Sequence, residues 1–513
     1  MAQPVEIFKD IKGFTRDFAV DALPSGYLWD LLDAIPNRKG ARVEQRGAWD
    51  YYTATLGGTI QGGYHAAFTK GEKLLVVANS QIWDINLVTG AATSVGAGPA
   101  TMVQNGVKLN DRVYFFDGAG LTVPKVVTYN GTVVTVANAH ASAPKAKVGI
   151  AYKARLVVAG DPANPARVSF SPIEEDGGPL GAWDSVSWIA TNNQVSGLAA
   201  MAGQIVVYHP AAVERIRGSI PPATDVDTDM FVEPLTEQVG AVVAQTIIPW
   251  RENIIFADER GVFLTDGSTV RNLAELGGIG DFWRVAYGSR LAANGVCCGT
   301  FLDYLLVTVN CVIGTANAPF TLVCDLNTRS WFRFSNFPAT CYIPSESSVE
   351  QTWAGHYVTN RIARTSKMFQ DQVPPPDPLP DYVDGNGLPV LSSFTTGFTR
   401  LDRQEGMQRL RSIFTSYHHE SFIRDPLADG VKVEYRTDPP TPEDIDLATG
   451  SVTGWTEAGR LPDAEEYTRK KLPVGKRGFG IMVRVSAVTA SRIHRFYSLG
   501  VEQTSQDRAK VTT

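Results

Sequence analysis

The chain has 513 residues, a formal net charge of −6 and a pI of about 5.7. At roughly 150 residues per domain, this length predicts two to four domains, and 44% hydrophobic with 19% charged residues is typical of a folded globular protein. The acidic balance argues against a dedicated nucleic-acid-binding protein, which needs basic surface for phosphates. No apolar run approaches the ~18 residues of a membrane span. The charged residues within 1–12 argue against a signal peptide.

The first 45 residues are apolar in places but lack a regular pattern. Pro24, Gly26 and Pro36 interrupt the segment and prevent a long helix or strand. We therefore predict that residues 1–45 form an extended arm with one short helix, packed against another surface. The predicted contacts of this arm with a neighbouring subunit are six apolar side chains: Phe14, Phe18, Leu28, Trp29, Leu31 and Leu32.

Short apolar, β-rich runs recur through residues 46–370. Their starts are 39 to 51 residues apart, with a mean step of about 46. This step matches the roughly 40–50 residues of a four-stranded propeller blade, so the region is predicted to be a β-propeller of six or seven blades. The alternative is two β-sandwiches in series. The runs are LLVVA at 74–78, VYFF at 113–116, LVVA at 156–159, IVVY at 205–208, IIFA at 254–257 and LLVTV at 305–309.

Turn chemistry between these runs supports hairpins. The dipeptides Asn130-Gly131, Asp266-Gly267 and Thr89-Gly90 supply residues that tolerate the positive φ of tight turns. No window of 12 or more residues keeps a helical period without Gly or Pro, so a parallel α/β sheet is not expected. The predicted fold class is all-β.

Six prolines within residues 371–390 predict a stiff linker between domains. Beyond it, residues 391–513 contain four segments in which apolar and polar residues alternate, a pattern typical of strands with one buried face. We predict a small C-terminal β-sandwich. The four segments are 409–419, 431–437, 479–488 and 492–502.

The cysteines do not form a disulfide framework, because they are odd in number and confined to one region. They are predicted to be reduced, buried thiols rather than metal ligands: Cys297, Cys298, Cys311, Cys324 and Cys341. None of the seven histidines stands in a catalytic or zinc-binding motif. The adjacent His418 and His419 would point to opposite faces of a strand and so would not share a metal easily.

The acidic and basic clusters of the sequence are either functional sites or solvent-exposed loops. Asp225, Asp227 and Asp229 match the first half of a calcium loop, but Met230 and Thr236 stand where that loop needs Gly and Glu. A propeller glycosidase would need two carboxylates across a sugar bond. The acids considered for this role were Glu174, Glu175 and Asp176, and the pair Glu443 and Asp444.

The basic segment 469–477 has no interleaved aromatic residues for base stacking, so it is interpreted as a solvated loop or a subunit contact. It contains Arg469, Lys470, Lys471, Lys476 and Arg477. From all these clusters we predict no catalytic residue, no cofactor and no metal site, and therefore not an enzyme.

Taken together, three stretches resemble the β-propeller tail-hub or nozzle proteins of short-tailed bacteriophages, including the packaged-DNA stabilisation proteins. They are DALPSGYLWDLLDAIPNRKGARVEQRGAWDYY (21–52), ARVSFSPIEEDGGPLGAWDSVSWI (166–189) and QVSGLAAMAGQIVVYHPAAVERIRGS (194–219), the last continuing through 237–273. The resemblance implies a non-enzymatic structural protein of the virion tail, assembled in the host cytoplasm.

The same resemblance implies a ring of identical subunits, often six, that contacts other tail or connector proteins. DNA would pass this ring during ejection without being bound specifically. The alternatives are a distal tail-tip or receptor-binding protein and a propeller glycosidase.

Overall fold

The computed structural model is nearly all β, with 55% strand and 5% helix. It describes residues 3–8, 12–18, 22–24, 27–36, 43–46, 49–174, 180–201, 203–218, 229–291, 295–313, 316–317, 319–335, 337–346, 353–356, 359–365, 392–396, 399–400, 408–420, 431–445, 452–461, 464–478, 480–487 and 493–504. The predicted linker at 371–390 lies outside these residues.

The N-terminal segment contributes short strands, and described bends lie at Asp17, Phe18, Ala22, Trp29 and Asp33. The strands are β1 (Gln3–Phe8), β2 (Gly13–Phe14), β3 (Tyr27–Leu28), β4 (Asp30–Leu32), β5 (Ala34–Pro36), β6 (Val43–Gln45) and β7 (Asp50–Tyr51).

Four-stranded antiparallel sheets then follow one another as the blades of a β-propeller. Blade one is β8 (Ile60–Phe68), β9 (Gly71–Ala78), β10 (Gln81–Ile85) and β11 (Ala92–Ala97). Blade two is β12 (Val107–Leu109), β13 (Arg112–Phe115), β14 (Lys125–Tyr129) and β15 (Val134–Asn138). Blade three is β16 (Val148–Tyr152), β17 (Arg155–Asp161), β18 (Asn164–Phe170) and β19 (Trp188–Ala190).

Blades four and five keep the same order. Blade four is β20 (Gly197–Met201), β21 (Gln204–Tyr208), β22 (Val213–Arg217) and β23 (Phe231–Thr236). After a 3-10 turn at Ala244–Thr246, blade five is β24 (Ile248–Trp250), β25 (Asn253–Asp258), β26 (Gly261–Thr265) and β27 (Val270–Asn272). Two helices lead out of it, α1 (Leu273–Leu276) and α2 (Gly280–Gly288).

Two further blades complete the ring. Blade six is β28 (Val296–Phe301), β29 (Tyr304–Val309), β32 (Phe320–Asp325) and β33 (Ser330–Phe334), with the small hairpin β30 (Val312–Ile313) and β31 (Ala316–Asn317) inserted. Blade seven is β34 (Ala339–Ile343), β35 (Trp353–His356) and β36 (Ile362–Arg364), and β7 supplies its fourth strand. Because β34 contacts β8 of blade one, strands from the two ends of this region close the ring.

The six apolar runs of the sequence are the second strands of blades one to six: β9, β13, β17, β21, β25 and β29. Each is buried between neighbouring blades, and Leu74–Ala78 is fully inaccessible to solvent. The prediction of a propeller of six or seven blades is confirmed. The alternative of two β-sandwiches in series is wrong for this region, because the 46-residue step is the repeat of the blade.

The three predicted turns join the third and fourth strands of blades one, two and five. In the turn of blade two, the Oδ1 atom of Asn130 accepts hydrogen bonds from the backbone N–H groups of Thr132 and Val133, and Gly131 has a φ of 98°. Asp266 plays the same part in blade five, where Gly267 has a φ of 78°. Hydrogen bonds within the local sequence therefore favour these turns, and in blade five Nη1 of Arg215 also donates to the carbonyl of Gly267 at 2.8 Å.

The C-terminal domain is built from two sheets, as predicted for a β-sandwich. Its strands are β37 (Ser393–Thr395), β38 (Thr399–Arg400), β39 (Gln408–Glu420), β40 (Val431–Arg436), β41 (Thr456–Leu461), β42 (Ala464–Gly478), β43 (Gly480–Ala487) and β44 (Ile493–Thr504), with a 3-10 turn at Pro442–Asp444. Leu410, Ile413 and Val501 of one sheet and Val433 and Val483 of the other belong to one buried cluster. The basic segment 469–477 lies within β42 rather than in a loop.

The N-terminal segment is extended, as predicted, but it is built into both sheets of the C-terminal domain. β1 and β6 pair with β44, β5 pairs with β6, and β4 lies between β33 and β37. Its described residues contain strands and no helix, so the predicted short helix is wrong within that part of the chain. The breaks at Pro24 and Pro36 allow short strands to join different sheets.

Candidate functional site

The strand β4 joins the propeller to the C-terminal domain. It pairs in parallel with β33 of blade six, through Leu32 and Arg333, and antiparallel with β37, through Asp30 to Leu32. The result is one ten-stranded sheet that runs from blade six through β4 into the C-terminal domain. We call this arrangement the junction.

Asp30 holds the junction together by charge. Its two carboxylate oxygens accept hydrogen bonds from Arg333, with Nη2 at 2.7 Å from both and Nε at 3.1 Å from Oδ1. Nη2 of Arg16 lies 3.5 Å from the same carboxylate, and its guanidinium lies 4.5 Å from the ring of Trp29. Burial lowers the pKa of Arg16 to about 10, and Asp30 opposes this shift. Both arginines are almost fully buried, so their guanidinium groups have lost most of their hydration. The single carboxylate of Asp30 compensates both positive charges.

A second carboxylate, that of Asp33, ties the end of β4 to the end of β33. Its Oδ1 atom accepts a hydrogen bond from Nε of Arg46 at 2.6 Å and another from the backbone N–H of Ser335 at 2.9 Å. The hydroxyl of Ser335 donates to the other carboxylate oxygen. The side chains of Asp33 and Arg46 are 1% and 0% exposed. Asp33 also has a φ of 52°, a conformation that Asp and Asn adopt more readily than other non-glycine residues.

The junction accounts for four of the six predicted assembly contacts. Phe14, Leu28, Trp29 and Leu31 are buried within their own chain. The rings of Phe14 and Phe282 meet edge to face, with their centroids 6.1 Å apart. As contacts between subunits these four residues need correction, because intramolecular packing already covers them. Assembly through Phe18, which is 46% exposed, and through the partly exposed Leu32 stays a prediction.

Phe18 lies where the N-terminal segment forms hydrogen bonds with α2 and with the turn between α1 and α2. The backbone N–H groups of Arg16 and Asp17 both donate to the carbonyl of Gly278, at 2.7 and 3.1 Å. The carboxylate of Asp17 accepts hydrogen bonds from the first N–H groups of α2, those of Gly280 and Asp281, as expected for an acid at a helix N-terminus. We call this region the helical corner.

Two large apolar side chains remain exposed at the helical corner. Leu276, at the end of α1, is 52% exposed and lies two residues before Gly278, whose surroundings include the ring of Phe18. Farther along α2, Val285 is 50% exposed. These side chains stand on or beside hydrogen-bonded backbone, and the corner presents apolar surface to solvent.

The propeller axis is closed by side-chain amides. Nε2 of Gln245, between blades four and five, donates to the carbonyl of Gln61 in blade one at 2.6 Å. Blades one and five are not neighbours, so this bond crosses the axis. Gln104 exchanges two hydrogen bonds with the backbone of Gly149, and Asn105 bonds to Gly63 and Tyr342. Among the described residues these hydrogen bonds therefore place side chains across the centre of the propeller.

Glu174, one of the acids considered for glycoside hydrolysis, is buried beneath Arg112. Its Oε1 atom lies 3.1 Å from Nε of Arg112, and Nδ2 of Asn110 lies 3.4 Å from Oε2. Burial raises the pKa of Glu174 to about 7, against the lowering effect of Arg112. Glu174 therefore contacts its own chain, while Glu175 and Asp176 lie outside the described residues.

The second acidic candidate belongs to the C-terminal domain. Asp444 accepts hydrogen bonds from Nη2 of Arg436 and from the backbone N–H and hydroxyl of Thr441. These donors, led by the Thr441 N–H, lower the pKa of Asp444 to about 2. The neighbouring Glu443 is exposed. Asp444 is thus a structural carboxylate of the 3-10 turn.

A histidine and glutamate pair that sequence reasoning did not single out is buried in blade four. Nε2 of His209 lies 3.1 Å from Oε2 of Glu214, and its Nδ1 lies 2.9 Å from the carbonyl of Gln194. Nδ2 of Asn192 donates to the other oxygen of Glu214 at 2.5 Å. Both residues are almost inaccessible to solvent, so the pair connects strand ends instead of facing a substrate.

The remaining candidates from the sequence are the cysteines, the acidic residues near 225, the adjacent histidines and the basic segment. All five cysteines are buried thiols that form no disulfide, as predicted, and burial raises the pKa of Cys341 to about 11. Asp225, Asp227 and the side chains of His418 and His419 lie outside what the structure describes. Within the described residues no group of three or more His, Cys, Asp or Glu side chains is placed to hold a metal ion. Lys471 and Lys476 of the basic segment are exposed.

The fold defines the chain as a β-propeller protein with an appended β-sheet domain. No protein-family model matches its sequence. A search of curated proteins gives no match either. In the described part of the chain, no helix is long and apolar enough to cross a membrane.

The solved structures that a structural search matched to the chain share little sequence with it. The computationally designed Ika8 protein is 10% identical over 62% of this chain and 99% of its own, with a TM-score of 0.36. PorZ, a surface component of the type-IX secretion system of Porphyromonas gingivalis, is 11% identical over 71% of this chain and 44% of its own, with a TM-score of 0.38. A chain of the Mitotic Checkpoint Complex is 9% identical over 67% of this chain and 98% of its own, with a TM-score of 0.37.

Proposed function

We propose that this chain is a non-enzymatic structural protein of a bacteriophage tail. Copies of it would form a ring, as hub or nozzle, that contacts other tail or connector proteins and lets DNA pass. The observation that carries the proposal is the junction. A tail subunit transmits force between its neighbours, and a hydrogen-bonded sheet that continues from blade six into the C-terminal domain resists hinge motion between the two.

The sequence resemblance supports the same proposal from another direction. The stretch 21–52, which resembles the tail-hub and nozzle proteins, is the stretch that contains β3 to β7. It therefore supplies the strand at the centre of the junction and the strand that closes blade seven. One of the three resembling stretches therefore forms the segment that joins the two domains, which fits a mechanical role better than a catalytic one.

The closed axis determines where DNA would pass in this proposal. Because Gln245 bonds to Gln61 across the propeller, the conduit would lie between copies arranged in a ring. The net charge of −6 fits a conduit that does not retain phosphates, since like charges repel. The ring would contain several copies, with six as the number that the resemblance implies.

The helical corner is the proposed contact between copies. Phe18 and Leu276 are about half exposed, so an interface could bury them, and a fully buried side chain of this size contributes roughly 1.5–3 kcal/mol. The alternative function is a distal tail-tip or receptor-binding protein, in which this corner would contact a different tail component.

The test uses purified full-length protein in light scattering and cryo-electron microscopy. We expect closed rings for the unmodified chain and single subunits for the double variant Phe18→Asp with Leu276→Asp. The matched control is Val88→Asp, which places the same charge on a turn residue that is 90% exposed and should leave rings intact. Label attached at the C-terminus should appear on the tail of assembled virions. Single subunits for the unmodified chain, or virions without label, would refute the proposal.

A further inference from the structure

A pocket of about 290 Å³ opens beside blade three. Its lining comes from the segment before β16, from β17 and β18, and from the loop that leads into β19. This volume is at the lower end of the ~300–1,000 Å³ of small-molecule sites. The pocket is separate from the junction, the helical corner and the propeller axis.

Arg167 is held in place at the pocket by its neighbours. Nη2 of Arg167 donates to the carbonyl of Ser185 at 2.8 Å, and the guanidinium lies 4.3 Å from the ring of Trp188. Trp188 is itself 42% exposed. Among the described residues Nε of Arg167 is buried and has no hydrogen-bond partner, so a donor remains available.

The pocket also offers hydrogen-bond acceptors. Asp184 uses Oδ1 to accept from the backbone N–H of Val186 at 3.0 Å, and within the described chain its Oδ2 atom has no partner. Ser169 is 8% exposed and lines the pocket. Its hydroxyl makes no hydrogen bond to another described residue, so it is available to a ligand. Asp161 contributes a second carboxylate, whose Oδ1 atom accepts from the N–H of Ala163 at 2.9 Å.

The remaining wall is apolar. Trp183, Pro144, Ala146 and Val158 line the pocket, and Trp183 is 8% exposed. An oriented hydroxyl supports this wall, because Oγ of Ser142 accepts a hydrogen bond from the backbone N–H of Trp183 at 2.9 Å. Apolar surface combined with a few fixed polar groups is the usual composition of a small-ligand site.

The charges select the class of ligand. Two carboxylates and one guanidinium leave a net charge of −1 around the pocket, which disfavours phosphate and other anions. A ligand must accept a hydrogen bond from Arg167 and donate one to Asp184. It must also form a hydrogen bond with Ser169 and place carbon atoms against Trp183. A neutral sugar ring has hydroxyls that both donate and accept hydrogen bonds, and it has C–H groups that pack on an indole. We propose that this pocket binds a saccharide, a property that does not depend on assembly into a ring.

The test measures binding to purified full-length protein by saturation-transfer NMR and titration calorimetry. The probes are glucose, galactose, rhamnose and N-acetylglucosamine at millimolar concentration, with inorganic phosphate as the anionic comparison. We expect at least one saccharide to bind and phosphate not to bind. The variants Asp184→Asn and Ser169→Ala should each weaken the affinity about 2- to 10-fold, the usual effect of one hydrogen bond.

The matched control is Asp281→Asn, the same change at an exposed carboxylate on α2, and it should bind like the unmodified chain. Thermal melting identifies any variant that has lost its fold, and the remaining variant then decides. The proposal is overturned if none of the four saccharides binds, if phosphate binds more tightly, or if both folded variants keep full affinity. Ring formation is measured separately, so failure of one proposal leaves the other standing.

Discussion

Replacing Asp33 with asparagine should open the junction. The substitution keeps the size of the side chain and its tolerance of a positive φ, but removes the charge opposite Arg46. The guanidinium of Arg46 is 0% exposed, so it would remain buried without its carboxylate. Removing one partner of a buried ion pair costs about 3–5 kcal/mol. At 1.4 kcal/mol for each factor of ten, this corresponds to a roughly 100- to several-thousand-fold increase in opening.

Hydrogen exchange followed by mass spectrometry measures this opening locally, which suits a chain of several domains whose unfolding is not a single transition. Peptides that cover β4 and β33 should exchange faster by that factor, while those of blades one to three should not change. Asp281→Asn provides the control, because Asp281 and Arg284 form an exposed pair whose contribution is about 0–1 kcal/mol. If the exchange at β4 rises less than about tenfold, the junction does not depend on this charge.

Three more outcomes can be checked. Deleting residues 1–48 should unfold the C-terminal domain, because β4 and β6 complete its sheets; unchanged exchange protection in β43 and β44 would contradict this. A Cβ at Gly149 would lie 2.3 Å from Cζ of Phe116, so Gly149→Ala should lose about 1–3 kcal/mol on denaturant unfolding, whereas Gly288→Ala, with open space around it, should not. Burial raises the pKa of Glu174 from 4.5 to about 7, so the folded chain holds this proton more tightly. The stabilisation is complete below about pH 4.5 and is lost as the pH rises through 7, and Glu174→Gln should flatten that part of the melting curve against pH.

The propeller could be predicted from sequence because its signal is local and repeated. Each of blades one to six contains one mostly apolar strand, such as the one with Ile254 to Ala257, and the spacing of these strands is set by the length of a blade. The turns at Asn130 and Asp266 were recognisable for the same reason, since a single side chain bonds to the backbone two and three residues later.

The junction could not be predicted in this way. The pairing of Asp30 with Arg333 joins residues 303 positions apart, and neither residue shows by itself which partner it has. The apolar side chains around Asp30 were correctly expected to pack on another surface, but sequence does not distinguish a surface of the same chain from that of a neighbour. The pocket beside blade three was missed because Arg167 and Asp184 come together only through the folded course of the loop before β19.

Because β7 is the fourth strand of blade seven, the ring cannot close until the end of the propeller has been synthesised. Asp50 and Tyr51 leave the ribosome early, yet their partners Arg364 and Ala363 are made more than 300 residues later. At a synthesis rate of 5–20 residues per second, β7 has no partner strand for roughly 15–65 s. Throughout that time the growing chain has an open ring with unpaired edges at both ends, the state in which edge strands pair with the wrong chain. A fragment that ends anywhere before residue 362 would remain in that state permanently.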